Sequence, residues 1–216
     1  MKPAPGIAKI ITTALIFFSA ALPLRGEERE YFIPVSRRHT RGETLLDVTF
    51  LYGVHWAGYF VLFKFLSDWG GSIEQYKENI FPKKIQWWDG DSFWWNFVGH
   101  PYVGSQTYLY YRARGYGKKE SFIGSFTASF LFESTIEVMQ EPFSFNDAVV
   151  TPAFGYVLGN FLEKISLEMI NSNSTPKKIL ARMINPSMNF KFYEGVRLVP
   201  VVSRNLTGIF LSCYFD

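Results

Sequence analysis

The sequence predicts a mainly α-helical protein, a bundle of four to five apolar helices with a short C-terminal β-hairpin. Three observations support this. Several long apolar segments begin after residues that cap helices, and they have helical lengths. Within these segments, small and polar side chains recur every four residues and so share one helix face. After Met188, "NFKFY" alternates in period two and "TGIFLSCYF" is β-rich, as is typical of strands.

Residues 1–21 have the order of a secretory signal peptide. Lys2 and Lys9 precede an apolar run over residues 10–22, and small residues lead to a cleavage site after Ala21. An uncleaved anchor helix is the alternative, but the run is short for a bilayer span of about 20 residues. We therefore expect an exported protein that is periplasmic or associated with the outer membrane.

Composition and charge narrow the class of protein. The 22 Phe and 12 Tyr exclude a disordered chain, so the protein either buries aromatic rings or contacts lipid. Cleavage after Ala21 would lower the net charge of +3 by two, and a nearly neutral chain without a basic face argues against a nucleic-acid partner. Cys213 is the only cysteine, which excludes an internal disulfide and a thiolate metal site.

The helical domain is predicted over residues 44–186, after a polar, charged linker over residues 22–43. Its first helix is expected over residues 44–66, which are almost entirely apolar. Within it, residues 48–63 form the segment most suited to membrane embedding, with His55 as their one strongly polar group. A helix packed in a protein core fits the same pattern, and the sequence leaves both readings open.

Three central helices follow, over residues 91–112, 119–140 and 147–170, after a short polar helix or loop. Turn residues separate them and capping residues begin them. A short basic amphipathic helix is expected over residues 176–185, and a β-rich tail over residues 187–216. The order of elements is therefore helices first and strands last.

Each central helix carries a ridge of small or polar residues at four-residue spacing. The ridges are Ser92, Asn96, His100 and Gly104; then Ser121, Ser125, Ser129, Glu133, Glu137 and Glu141; then Asp147, Thr151, Gly155, Gly159 and Glu163. Small side chains let helix backbones approach closely. We therefore expect the three ridges to face one another.

Facing ridges would bring together the candidate catalytic residues, which are His100, Glu133, Glu137 and Asp147. Burial disfavours a charged carboxylate, so each acid needs a partner or a proton. The candidate partners are His100, Arg112 and Arg114. With Asn96, the two arginines are also the candidate binding residues.

His100 precedes Pro101, whose ring cannot donate to the carbonyl of Phe97 and disfavours helical geometry at His100 itself. We expect a kink there, with a polar group freed beside the imidazole.

The chemistry of this cluster stays open at the level of sequence. One His and several carboxylates could bind a divalent metal, or Glu137 and His100 could exchange protons as general base and acid. A hydrogen-bonded network that only fixes helix register is the interpretation we favour. There is no H-E-x-x-H, no G-x-S-x-G and no Gly-rich phosphate loop, so no cofactor is expected and no reaction follows.

The stretch "DSFWWNFVGHPYVGSQTYLYYRARGYG", followed by "SFIGSFTASFLFESTIEVMQEPFSFNDAVVTPAFGYVLGN", resembles DUF3943, a bacterial domain-of-unknown-function family of exported envelope proteins. The shared pattern is D-x-x-x-x-N-x-x-x-H-P-x-x-G-S, then A-R-x-x-G, E-x-x-x-E, N-D and G-x-x-x-G. It covers about residues 85–190. The resemblance implies an envelope location and no reaction.

More distantly, the order of acids and histidine is similar to YfiM-like lipoproteins and VanZ-like membrane proteins. Their pattern is D-K-x-x-H, whereas here Asn96 stands near the usual histidine position and His100 follows one turn later. No residue role is carried over from them.

The sequence thus predicts an exported cell-envelope protein, a membrane-associated helical module with a buried polar cluster and a structural, lipid-binding or partner-binding role. The alternative is an enzyme that acts on an envelope lipid or a cell-wall intermediate through its His, Glu and Asp side chains, with or without a metal. The expected partners are membrane lipid and an envelope protein.

Overall fold

The computed structural model describes the chain in several ranges. They are residues 39–61, 71–80, 86–87 and 91–189, and the backbone of residues 196–203 and 206–213. The predicted signal peptide and most of the predicted linker lie outside these ranges.

The described residues form a mainly α-helical fold, as predicted. Four helices are long and apolar, and two are short and polar. In chain order they are α1 (Arg41–Tyr59), α2 (Ile73–Ile80), α3 (His100–Ala113), α4 (Lys118–Thr135), α5 (Phe145–Ile170) and α6 (Thr175–Ile184). Helices α3, α4 and α5 pack against one another, and α6 packs on α5.

Helix α1 begins three residues earlier than predicted because Thr40 and Glu43 form a capping box. The Glu43 N–H donates to the Thr40 hydroxyl at 3.2 Å, and the Thr40 N–H donates to the Glu43 carboxylate at 2.7 Å. This reciprocal pair satisfies two backbone donors at the helix start. The predicted end at residue 66 lies outside the described residues.

None of the helices in the described ranges combines the length and the apolar character that crossing a membrane requires.

The irregularity predicted at His100–Pro101 takes the form of a π-helical turn over Trp95–Gly99, directly before α3. The His100 N–H donates to the carbonyl of Trp95, five residues back. Pro101 has no N–H to continue the regular ladder. Such π turns inside helices frequently lie at functional sites.

Helix α3 ends in a Schellman motif at Gly115, whose φ of 87° lies in the left-handed region that favours glycine. The Gly115 N–H donates to Arg112 O at 2.9 Å, and the Tyr116 N–H donates to Tyr111 O at 3.1 Å. These bonds turn Tyr116 back over the end of α3. The chain then enters α4 antiparallel to α3.

Helix α4 is shorter than predicted, because it ends at Thr135 rather than at residue 140. The Ser134 hydroxyl bonds to Phe130 O at 2.6 Å, and the Thr135 hydroxyl bonds to Leu131 O. Such side-chain bonds compete with the backbone for the last carbonyls. A 3₁₀ turn follows over Glu137–Met139.

The three ridges face one another, as predicted, and α3 and α5 touch backbone to backbone. A Cβ added to Gly104 would lie 2.1 Å from Thr151 O, and one added to Gly155 would lie 2.7 Å from the Cα of Gly104. From α4, the Ser125 hydroxyl donates to Gly104 O at 3.2 Å. Only glycine at positions 104 and 155 permits this approach.

After α6, a strand β1 (Val196–Ser203) pairs antiparallel with a strand β2 (Leu206–Cys213). Val196 lies opposite Cys213, and Ser203 lies opposite Leu206. The two residues that join the strands lie outside the described residues, so the hairpin itself stays a prediction.

Polarity is distributed in reverse of the usual pattern. Among the described residues, twenty buried side chains are polar or charged and fourteen are hydrophobic. Large apolar side chains point outward on all four long helices. Interiors of water-soluble proteins are dominated by apolar residues, and a buried polar group is the informative exception. In the described part of this chain, buried polar and charged residues outnumber buried hydrophobic ones.

Candidate functional site

His100 lies between two carboxylates at the start of α3. Its Nε2 is 3.6 Å from Asp91 Oδ2 and 3.7 Å from Asp147 Oδ1. The imidazole is nine-tenths buried and Asp147 is fully buried. Nε2 has no hydrogen-bond partner of ordinary length among the described residues. The contacts are therefore ionic, and they bring together two of the predicted catalytic residues.

The surroundings favour the charged form of His100. Burial alone lowers its pKa, but the contact with Asp91 and the negative charges of Glu137, Asp147 and Asp91 raise it more. The pKa of His100 consequently lies above its ordinary value of 6.5. An imidazolium can donate at both ring nitrogens.

Glu133, near the end of α4, and Glu137, in the 3₁₀ turn, form a hydrogen-bonded pair of buried carboxyl groups. Burial raises the pKa of Glu137 well above its ordinary value, and the charge of Glu133 and the hydrogen bond with it raise it further. Two carboxyl groups in contact cannot both stay ionised. The pair therefore holds one proton. Glu137 Oε2 has no hydrogen-bond partner among the described residues.

Two asparagines connect Asp91 with Asp147. Asn146 Nδ2 donates to Asn96 Oδ1 at 3.3 Å and to Asp147 Oδ1 at 3.2 Å. Asn96 Nδ2 in turn donates to the carbonyl of Asp91 at 3.2 Å. Asn146 was not among the predicted site residues. It does not cap α5, because the cap is Ser144, whose hydroxyl accepts from the Asp147 N–H. The adjacent Asn–Asp pair at residues 146–147 was the sequence signal that could have identified it.

We call these side chains the acid–histidine cluster. It consists of Asp91, Asn96, His100, Glu133, Glu137, Asn146 and Asp147. Tyr59 of α1 lies beside it, since the charges of Glu137 and Glu141 add to burial in raising the pKa of its hydroxyl. All four predicted catalytic residues and the predicted binding residue Asn96 belong to the cluster.

The expectation that Arg112 and Arg114 pair with these acids is wrong. Arg112 Nε donates to Glu163 Oε1 at 2.9 Å, and Arg114 Nε donates to Asp47 Oδ1 at 2.7 Å. Twelve residues of α-helix separate Arg112 from His100, a distance of about 18 Å along the axis. The arginines therefore lie at the opposite end of α3.

Together with their partners they form a second site, the arginine cluster, which consists of Asp47, Tyr110, Arg112, Arg114, Tyr116 and Glu163. The hydroxyls of Tyr110 and Tyr116 donate to Asp47 at 3.1 and 2.8 Å. Burial, assisted by the charge of Asp47, raises the pKa of both tyrosines, so both hydroxyls remain protonated donors. The cluster joins α1 to α3 and α3 to α5.

Within the described ranges, no three His, Cys, Asp or Glu side chains are arranged to hold a metal ion. The raised pKa values of His100 and Glu137 make the imidazole and the Glu133–Glu137 pair groups that can exchange protons. Asp91 is the exposed edge of the cluster, with about a quarter of its side chain accessible, while Asp147 is completely enclosed.

The raised pKa values of Glu137 and His100 predict how stability depends on pH. The folded state binds both protons more tightly than the unfolded state, so each contribution decreases as the pH rises. For Glu137 the loss begins above pH 4.5, the ordinary pKa of its carboxyl. For His100 the stabilising contribution is complete below pH 6.5 and is lost as the pH rises through the raised pKa of the imidazole.

We expect Glu137→Gln to flatten this dependence. The amide keeps a hydrogen bond to Glu133 but has no proton to lose, so the free energy of unfolding should fall less steeply with pH than in the wild type. Urea unfolding at a series of pH values above 4.5 measures the difference. Identical slopes in the two proteins would show that Glu137 is ionised in the folded state.

Comparison with known proteins adds one finding. No curated protein and no solved structure matches the chain. Residues 86–189 match a family model described as a domain of unknown function, DUF3943. This range contains the whole acid–histidine cluster and helices α3 to α6, whereas Asp47 and α1 lie before it. Residues 86–189 are therefore a DUF3943 domain.

Proposed function

We propose that the protein is an exported cell-envelope module that associates with a membrane through its apolar outer surface, while its buried polar clusters fix the register of its helices. The observation that carries this proposal is the reversed distribution of polarity. Water-soluble monomers rarely expose contiguous apolar patches of more than a few hundred Å². A surface of this kind needs a covering, and lipid provides one.

Helix α5 illustrates the outer surface best. Val157 is 65% exposed and Phe161 is 60% exposed, and with Phe154 they recur at spacings of three and four residues. These spacings place them in one stripe along the helix. On α4 the exposed residues Ile123, Phe126 and Phe130 repeat the arrangement. Two central helices thus present apolar stripes outward.

The exposed tryptophans point to the same environment. Trp87 is 76% exposed and Trp94 is 73% exposed, and both precede α3. Tryptophan is enriched where hydrocarbon meets water, because its ring is apolar and its N–H is polar. We assign these two side chains to the boundary between lipid and water. The predicted signal peptide over residues 1–21 supports export of the chain to the envelope.

Fractionation of cells that express the full chain tests the proposal. We expect the protein in the membrane fraction, retained through washes with high salt, and released by detergent. An envelope protein that covered the same surface would appear as a second polypeptide in the detergent extract. Recovery of a monodisperse protein in buffer without detergent would contradict association with lipid.

A second candidate function is catalysis on an envelope lipid or a cell-wall intermediate. It is favoured by the buried, unpartnered atoms His100 Nε2 and Glu137 Oε2, which belong to two groups with raised pKa values. Raised values place acids within the range where they can transfer protons near neutral pH. If the protein is such an enzyme, we expect the variants His100→Gln and Glu137→Gln to remain folded and membrane-associated but to lose the cellular phenotype of the wild type.

A further inference from the structure

Helix α6 carries three cations that form no ion pair with a described carboxylate. Lys177, Lys178 and Arg182 lie on its ten residues, which contain no acid. Within the described ranges, the ion pairs of other cations are His100 with Asp91 and Asp147, Arg112 with Glu163, and Arg114 with Asp47. No described carboxylate lies within ion-pair distance of a cation of α6. These three charges are available to a partner.

The orientation of α6 is fixed by buried contacts on its inner side. Ala181 is fully buried. At the end of the helix, Asn185 Nδ2 donates to Ser166 Oγ on α5 at 3.0 Å, and Gln106 Nε2 on α3 donates to Ile184 O at 3.2 Å. Asn185 is itself completely buried. The helix therefore presents one defined outer side.

That outer side is both apolar and cationic. Ile179 is 42% exposed and Leu180 is 44% exposed. At 100° per residue, Ile179 lies about 160° around the helix from the buried Ala181, and Lys178 and Arg182 lie at its flank, one turn apart. Aliphatic side chains flanked by cations are characteristic of helices that lie in the plane of a membrane surface.

We propose that α6 is the segment that binds anionic lipid headgroups, with its two exposed aliphatic side chains inserted among acyl chains and with Lys178 and Arg182 on the phosphates. This inference rests on the proposed membrane association and names the lipid class and the element that recognises it. Free phosphate or nucleic acid would use the charges but would leave both aliphatic side chains in water. An anionic bilayer uses both.

Flotation of the full chain with vesicles tests the assignment. The probes are vesicles of neutral phosphatidylcholine and vesicles that also contain phosphatidylglycerol, at low salt. The variant is Lys178→Gln with Arg182→Gln, and the matched control is Lys118→Gln with Lys119→Gln in the exposed first turn of α4. Both variants remove two positive charges.

We expect the α6 variant to bind anionic vesicles about thirtyfold more weakly than the wild type, because each lysine or arginine near an anionic surface contributes about fivefold. The control should change binding less than twofold, and all three proteins should bind neutral vesicles equally. Equal losses in the two variants, or none in either, would overturn the role of α6 and leave membrane association intact. Failure of the wild type to float with either vesicle would overturn the proposed function as well.

Discussion

Replacing Gly104 with alanine is expected to lower the free energy of unfolding by about 3 kcal/mol, at the upper end of the usual cost of overpacking. The added Cβ would lie 2.1 Å from Thr151 O and 2.9 Å from Thr151 C. Both are backbone atoms, so α3 and α5 must move apart. That movement would also disturb the hydrogen bond from the Ser125 hydroxyl to Gly104 O.

The matched control is Gly58→Ala on α1. An added Cβ there meets no atom within 4 Å, and alanine is favoured over glycine in a helix by about 1 kcal/mol. We expect this variant to be as stable as the wild type or slightly more stable. Chemical unfolding in detergent, followed by circular dichroism, compares the two. Equal stability of both variants would show that the backbone contact at Gly104 is absent.

Glu163→Leu is expected to lower the free energy of unfolding by about 3 kcal/mol, because it leaves the guanidinium of Arg112 buried without its carboxylate. Both side chains are about nine-tenths buried, so solvent screens the pair weakly. Arg112→Met should cost a similar amount by leaving Glu163 alone. Chemical unfolding in detergent, followed by circular dichroism, measures both losses of stability.

Combining Arg112→Met with Glu163→Leu separates this explanation from simple loss of packing. Removing both charges also removes the unpaired one, so the double variant should be more stable than either single variant. An exposed change, Lys164→Ala, should alter stability by less than about 0.5 kcal/mol. Additive losses in the double variant would contradict a coupled ion pair.

The sequence predicted the helices and the meeting of the three ridges because both follow from local rules. Four-residue spacing of small side chains identifies a helix face, and the close contact of Gly104 with Gly155 is its direct consequence. The early start of α1 was also readable, since "TRGE" at residues 40–43 has the form of a capping box. The early end of α4 depends on rotamers of Ser134 and Thr135, which the sequence does not specify.

The arginine cluster shows the limit of pattern-based prediction. Spacing gives the face of a side chain, but the expectation for Arg112 and Arg114 ignored their distance from His100 along the same helix. Their partners are set by tertiary packing. Asp47 precedes Arg114 by 67 residues, and no local rule connects two positions so far apart. Five members of the acid–histidine cluster could be predicted from the sequence because they lie on the ridges that pack the helices, whereas Asp91 and Asn146 lie on none of the ridges.

The central claim is that the outer surface faces lipid and the interior is polar. Spin-label accessibility in vesicles measures this directly, with Cys213→Ser as the background and a nitroxide at Val157→Cys or Lys118→Cys. We predict that the label at 157 collides mainly with oxygen, which concentrates in hydrocarbon, and that the label at 118 collides mainly with a water-soluble nickel chelate. A label at 157 with the same preference for the nickel chelate as the label at 118 would contradict the claim.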